Sequence, residues 1–277
     1  MKFWKLHGIG NDFIIIDGRY NNNPDEYYSE IAKKVCHRKY SVGADGLLII
    51  KYSQKSDIKM VYYNADGSRA AMCGNGIRCF AKYIYCNSII SKNEFSIETL
   101  DGDKQVKLTI DNNEVKSVRV NMGTGSLLTN EIPANLNKEM FIEENINVLD
   151  KSYKVSAMLM GVPHAVIFVD ELDNDEVLKY GRLIEKNKIF PKGINVNFVQ
   201  ILDYDTIEVR TWERGCGYTL GCGTGMTAAA IISNKLGHTS KIVNVNSEGG
   251  TVTISIEESI YMTGPAVKIC EGILEVK

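Results

Sequence analysis

No stretch of these 277 residues approaches the ~20 consecutive apolar residues that a membrane-spanning helix needs. The opening residues, Met1 to His7, lack the long apolar segment of a secretory signal, so a cytoplasmic location is expected. Lysine and arginine number 32 against 34 acids, a net charge of −2. That balance supplies no basic surface for nucleic acid or for an anionic membrane. There are seven cysteines (Cys36, Cys73, Cys79, Cys86, Cys216, Cys222 and Cys270) but no C-x-x-C pair, so the usual zinc spacing is missing. An odd count without an export signal argues against a disulfide framework. What is left is an ordinary globular composition, 44% hydrophobic and 24% charged, in a chain long enough for two domains.

What the chain does have is one short pattern written twice. Cys73-Gly-Asn-Gly-Ile-Arg-Cys-Phe80 returns as Cys222-Gly-Thr-Gly-Met226, with the two leading cysteines 149 residues apart. Each follows a β-rich run and opens a helical one, expected over Asn75 to Asn87 and over Gly223 to Lys235. The flanking segments repeat as well. Strands are expected over Phe3 to Leu6 and Phe13 to Asp17, then a helix from Pro24 to about Arg38, then strands over Leu47 to Tyr52 and Ile58 to Tyr63. The second half offers strands over Val155 to Met160 and Ala165 to Asp170, separated by Gly161-Val162-Pro163-His164. A helix over Asp175 to Lys188 and strands over Asn195 to Leu202 and Ile207 to Trp212 complete the match, with Glu213 to Leu220 as a loop. Asn64 stands nine residues before Cys73, and Glu213 nine before Cys222. An internal duplication follows: an α+β protein of two pseudo-symmetric domains, each a mixed or antiparallel sheet wrapped around a central helix. The domains are expected over 1–121 and 122–265, with the active site in the cleft between them. The last strand, about 266–277, is a candidate to cross back to the first domain.

Glycine lets a backbone approach a ligand closely, and a helix start offers unpaired N–H groups with a partial positive charge. A cysteine there has its thiolate favoured, and a carboxylate finds donors waiting. Two such thiols facing one substrate can take a proton from one face of a carbon and return one to the other. The N–H groups of Gly74, Asn75, Gly223 and Thr224 are placed to hold the carboxylate that acidifies that proton. Asn11, Asn64 and Asn195 offer amide donors and acceptors at turns. Glu213 with Arg214 can bind the ammonium and carboxylate of an amino acid. His164 is a candidate to tune a thiol. Taken singly, these residues read as turn formers, a backbone-bonded histidine and a surface ion pair. Cys36, Cys79, Cys86, Cys216 and Cys270 read as structural, with Cys79 and Cys86 seven apart on one buried helical face. The C-G-N-G loop lacks the Lys-Ser/Thr of a phosphate-binding loop.

The motifs His7-Gly-Ile-Gly-Asn-Asp-Phe13, Asn64-Ala-Asp-Gly-Ser68, the two Cys-Gly-x-Gly runs, Pro163-His164 and Trp212-Glu-Arg-Gly-Cys-Gly217 occur in an order that resembles the diaminopimelate epimerases along the whole chain. The resemblance implies a pyridoxal-independent isomerase that needs neither cofactor nor metal. It would interconvert LL- and meso-2,6-diaminoheptanedioate for lysine and peptidoglycan synthesis. Cys73 and Cys222 would be its acid–base pair. Asn11, Asn64, Gly74, Asn75, Asn195, Glu213, Arg214, Gly223 and Thr224 would hold the substrate, and His164 and Glu213 would modulate the thiols. It also implies a homodimer. Val162 stands where many members carry Asn, no Gln follows Gly43-Ala44-Asp45, and Cys270 stands where some carry an aromatic residue. Val162 keeps open a two-thiol racemase of another amino acid, for instance a basic one. A redox-active thiol protein and a non-catalytic binding module are the readings of other classes.

Overall fold

The structure is a computed structural model that describes residues 1–275. Two compact units share it, Met1–Asn121 together with the chain from Thr263 on, and Met122–Met262. In the first unit β1 (Lys2–Gly8) and β2 (Asn11–Asp17) form a hairpin, followed by α1 (Asp25–Val35), β3 (Gly46–Lys51), β4 (Ile58–Asn64), β5 (Arg69–Ala70) and α2 (Gly74–Cys86). After α2 come β6 (Glu94–Thr99), β7 (Gly102–Asp111) and β8 (Glu114–Gly123). In the second unit β9 (Glu144–Val148), β10 (Lys151–Met160) and β11 (Val162–Phe168) precede α3 (Asn174–Glu185). Then follow β12 (Asn195–Asp203), β13 (Thr206–Glu213), β14 (Gly217–Thr219), α4 (Gly223–Lys235), β15 (Ile242–Ser247), β16 (Gly250–Ile256) and β17 (Ile260–Gly264). The last element, β18 (Val267–Ile273), pairs antiparallel with β1. Of the strand expected over 266–277, residues 276–277 lie outside the described residues.

Strand pairing repeats between the units. β2–β3 and β4–β6 are parallel, and β1–β2, β3–β4, β4–β5 and β6–β7 antiparallel. In the second unit β11–β12 and β13–β15 are parallel, and β10–β11, β12–β13, β13–β14 and β15–β16 antiparallel. Parallel neighbours need a crossover, and the four helices supply it. The pairing within each unit is therefore mixed and follows the same wiring, as an internal duplication requires.

The helices that follow the cysteines are the interior ones. In α2 every residue from Gly74 to Ala81 is buried, with Tyr83 and Ile84. In α4 Met226, Ala228, Ala229, Ala230 and Ile232 are buried, and the helix packs on β10 to β13, β15 and β16. Helix α4, apolar on nearly all sides, is stable only when surrounded. By contrast α1 and α3 bury one stripe each, and α3 is N-capped by the Asp173 carboxylate, which accepts from Asp175 N–H.

Several expectations shift. The segment 161–164 is not a loop: Gly161 alone turns, at φ 71°, and β11 begins at Val162. Pro163 is tolerated there because the parallel pairing with β12 begins only at His164. The loop expected over 213–220 contains β14, and β9 was not anticipated. Helix α1 stops at Val35 and α3 at Glu185, each before the expected end. Cys86 is exposed rather than core, because the last turn of α2 emerges from the sheet.

Candidate active site

Both cysteines occupy the residue just before a helix. Cys73 precedes α2 with φ −140° and ψ 125°, and Cys222 precedes α4 with φ −99° and ψ 110°. Neither side chain caps its helix, and neither helix has an acid in its first turn. A helix start normally receives a Ser, Thr, Asp or Asn oxygen. Here the N-cap side chain is a cysteine that makes no cap bond, at a helix start whose backbone carries a partial positive charge.

In the first unit the sheet brings polar side chains to the end where α2 begins. β2 starts at Asn11, β3 at Gly46 just after Asp45, and β4 ends at Asn64, which pairs with Gly46. The Cys73 thiol donates to Asn11 Oδ1 at 3.3 Å. Asn11 Nδ2 donates to Asp45 Oδ2 at 2.6 Å, which fixes which end of the amide faces the sulfur. Asp45 is held in turn by Arg38 at 2.7 Å and by the Asp12 N–H at 3.2 Å. Asp12 lies between Arg38, at 2.7 Å, and Lys5, at 3.0 Å. Burial pushes the Asp12 carboxyl up, but hydrogen bonds from Arg38 and Lys5 outweigh it and hold the group below its ordinary value. Asn64 Nδ2 donates to Ser68 Oγ at 3.0 Å across a turn closed by Asp66. Asn75 is buried, its Oδ1 accepting from Arg78 at 2.9 Å. Arg78, wholly buried, also donates to Gly74 O and Pro265 O.

The second unit repeats the placement with different chemistry. His164 lies opposite Asn195 at the starts of β11 and β12, and Glu213 ends β13. Asn195 Oδ1 accepts from Arg214 N–H at 2.8 Å and its Nδ2 donates to Pro163 O at 3.2 Å. Asn195 therefore fixes the backbone at Arg214, whose guanidinium donates to Lys192 O. Glu213 Oε1 accepts from Thr219 Oγ1 at 2.7 Å. Cys222 Sγ lies 3.4 Å from Thr224 Oγ1. His164 is fully buried, and burial, then the Arg214 charge, pulls its pKa down to about 3. The imidazole is thus neutral at pH 7, so any influence on a thiol there comes through hydrogen bonding rather than charge.

The diaminopimelate epimerase family model matches residues 3–128 and 156–269. The chain belongs to the diaminopimelate epimerase family. Among its relatives, the diaminopimelate epimerase of Alkaliphilus metalliredigens is 47% identical over 276 residues, covering 99% of this chain and 97% of that one. That of Clostridium perfringens is 48% identical over 273 residues, covering 98% of each. Solved structures share the fold at low identity. A probable proline racemase from Agrobacterium radiobacter K84 matches with a TM-score of 0.73 at 14% identity, covering 100% of this chain and 93% of that one. A PhzF-family phenazine biosynthesis protein of Bacillus anthracis matches with a TM-score of 0.71 at 15% identity, covering 100% and 99%.

Within this epimerase-family chain two of the other thiols, Cys36 and Cys79, are buried. Burial, then the charges of Asp12 and Asp45, pushes Cys36 up to about 12, and burial pushes Cys79 to about 12 as well. Both stay protonated and inert. Sequence reading did not single out Asp12, Arg38 and Asp45, nor Arg78, Asn197 and Thr211. Only the strand register gathers the first three, since Asp12 and Asp45 are 33 residues apart in the chain. Asn197 alternates with Asn195 along β12, and that spacing of two was the available signal.

Proposed function

We propose that this protein interconverts LL- and meso-2,6-diaminoheptanedioate without a cofactor, in the cytoplasm, as a step toward lysine and peptidoglycan. The observation that carries this reading is the pair of helices each preceded by a cysteine whose side chain makes no cap bond. One cysteine, as thiolate, removes the α-proton and becomes a thiol. The carbanion's charge spreads into the neighbouring carboxylate, where the N–H groups of Gly74, Asn75, Gly223 and Thr224 and two helix dipoles stabilise it. The other cysteine, as thiol, gives its proton to the opposite face and is left as thiolate, so the configuration inverts and the roles exchange for the reverse reaction.

Asn11 accepts from the Cys73 thiol, and Asn11, Asn64, Asn195, Glu213 and Arg214 supply polar contacts to the amino-acid group. His164 and Glu213 tune the thiols. The protein functions as a homodimer. A second reading, a racemase of another amino acid, is favoured by one observation: Val162, 37% exposed, has a side chain that offers no hydrogen bond to a second polar group of the substrate.

Incubation with LL-diaminoheptanedioate in heavy water tests both readings. Inversion should proceed with one deuterium at the inverted α-carbon, and Cys73→Ala and Cys222→Ala should each slow it by about 10²–10⁴-fold or more. Turnover of another amino acid with none of the diaminoheptanedioate would favour the second reading. Inversion that survives either substitution would end the two-thiol mechanism.

A further inference from the structure

Behind the turn that carries Glu213 and Arg214 lies a carboxylate with no part in the two-thiol chemistry. Glu185 ends α3 and is buried. Its Oε2 accepts from Trp212 Nε1 at 2.7 Å, and its Oε1 accepts from the Gly215 N–H at 3.2 Å. A buried carboxylate is costly unless donors replace its water, so the acid and its two donors are fixed together.

The sequence builds this contact from one helix face. Gly181 and Glu185 are four apart on α3, one above the other. A Cβ on Gly181 would stand 2.7 Å from Trp212 Cβ, so the glycine lets α3 sit against β13. One turn further on, Glu185 reaches both the indole N–H and the backbone beyond it. Arg214 to Cys216 form the hairpin loop between β13 and β14, with Gly215 at φ 77°. A glycine-containing loop moves freely unless something outside it holds it. Here Trp212 and Gly215 flank the Glu213-Arg214 pair, and Glu185 holds both flanks. Between them Asn195 Oδ1 accepts from the Arg214 N–H at 2.8 Å. The arginine stem is confined too. A Cβ on Gly193 would stand 3.0 Å from Arg214 Cδ and 3.4 Å from the Glu185 carbonyl oxygen.

The first unit supports its corresponding turn differently. The 149-residue offset carries Glu185 to Cys36, Trp212 to Tyr63 and Gly215 to Asp66. The turn after β4 is closed by its own side chains, with Asp66 Oδ1 accepting from the Ser68 N–H at 2.8 Å and from Ser68 Oγ at 2.6 Å. Helix α1 reaches that turn through a hydroxyl, Ser29 Oγ, which donates to Gly67 O at 2.7 Å. Only the turn that presents an acid and a base side by side has a buried carboxylate from the preceding helix beneath it.

We propose that Glu185 is a positioning residue of the active site: by holding Trp212 and Gly215 it fixes the loop from which Glu213 and Arg214 reach the amino-acid group of the substrate. The proposal rests on the reading of Glu213 and Arg214 as substrate contacts only for its effect on turnover. Its effect on the loop can be read without any substrate.

Hydrogen exchange in ¹⁵N-labelled full-length protein reads the loop. The chain has two tryptophans, so the indole signal lost in Trp212→Phe is assigned directly. In the wild type the Trp212 Nε1–H and the Arg214 and Gly215 amides should exchange slowly. Glu185→Gln keeps the size of the side chain but turns one acceptor into a donor. Glu185→Asp keeps the charge but is one methylene short of spanning both N–H groups. Each should speed exchange at these three sites by about tenfold or more. Each should also raise KM for LL-diaminoheptanedioate by about fivefold or more with kcat within about threefold, because the loop grips ground state and transition state alike. A merely structural role would lower kcat through the folded fraction and leave KM where it was. Should either variant fail to fold, the other decides, and Trp212→Phe, which removes one donor and leaves the carboxylate, should raise KM in the same direction. Fast exchange in the wild type overturns the proposal. So does exchange indifferent to the substitutions, or a KM that stays put while exchange quickens. A wild type that turns over no diaminoheptanedioate while showing the expected exchange pattern would count against the function and not against the hold of Glu185 on the loop.

Discussion

Asn11 shows how a side chain two contacts away can set the chemistry of a thiol. Its amide would present either end to Cys73, and Asp45 accepts from the nitrogen, leaving the oxygen for the sulfur. Removing that acceptor by Asp45→Ala lets the amide turn over. A hydrogen bond to a charged group contributes about 1.5–3 kcal/mol, and solvent near this exposed pair lowers that. We expect kcat to fall by about tenfold with little change in melting temperature, because the fold-level ion pair of Asp12 with Lys5 and Arg38 remains. A kcat unchanged within twofold would show that Asp45 does not orient Asn11.

His164 supplies a prediction in pH. In the unfolded chain its pKa is near 6.5, and in the fold it is about 3. The folded-state value is depressed, so its contribution is fully present above about 6.5 and is lost progressively as pH falls toward 3. The loss is about 1.4 kcal/mol per pH unit within that window. Denaturant unfolding should therefore show a smaller drop between pH 7 and pH 4.5 for His164→Gln than for wild type. Equal drops would mean that the ring is already protonated, or solvated, in the folded state.

The two cysteine helices make a matched experiment at the scale of the element. Gly76 and Gly225 sit at the same place in the first turns of α2 and α4. Alanine in a helix is favoured over glycine by about 1 kcal/mol where there is room. At Gly76 the new methyl meets the rim of Phe13 at 3.3 Å, a contact that yields with a small shift. At Gly225 it meets the Asn197 oxygen at 2.2 Å, and Asn197 is pinned by Ala165, His164 and Thr211. Overpacking of this kind costs about 1–3 kcal/mol, and breaking the network adds to it. Gly225→Ala should be the less stable variant by at least about 2 kcal/mol in denaturant unfolding, and equal stabilities would show that the Asn197 network moves freely.

Elements also show what the sequence made legible. Helix α4 begins and ends where glycine spacing and the apolar run place it, and α2 differs by one residue at each end. Strand cores were visible as β-branched runs, but their ends were not. β2 extends back to Asn11 because Ile9 and Gly10 both take positive φ, so a two-residue turn closes the hairpin. Nothing about an isoleucine announces that conformation. β9, β5 and β14 were missed because each is short and is held by its neighbours rather than by its own pattern. The motif cysteines could be read locally, since glycines mark them. Asp45, Arg38 and Asn197 could not, since their roles exist only once register brings them together.

Over the whole molecule the repeat reaches the outermost strands, and there it becomes a statement about assembly. β18 pairs antiparallel with β1 as β9 pairs with β10. The two strands occupy equivalent places and are treated differently. β9 buries Ile146 and Val148 in a cluster with Ile132 and Phe141, supplied by the segment between β8 and β9. β18 has no such cover among the described residues of its unit: Val267, Ile269 and Ile273 are 44%, 51% and 72% exposed, on both sides of a strand bulged opposite Lys5 and Leu6. An exposed edge strand with apolar side chains of this kind invites pairing with another chain unless it is covered. A second copy covering it fits the proposed homodimer, provided that the contact reaches the ~1,200–2,000 Å² that stable interfaces bury. Sedimentation equilibrium should return twice the chain's mass for the wild type. Ile269→Glu places a charge in the middle of the strand and should shift the equilibrium to monomer, while Leu202→Glu, on an exposed site of the second unit, should not. A wild type that sediments as a monomer at micromolar concentration would remove the dimer, and a dimer indifferent to Ile269→Glu would move the interface away from β18.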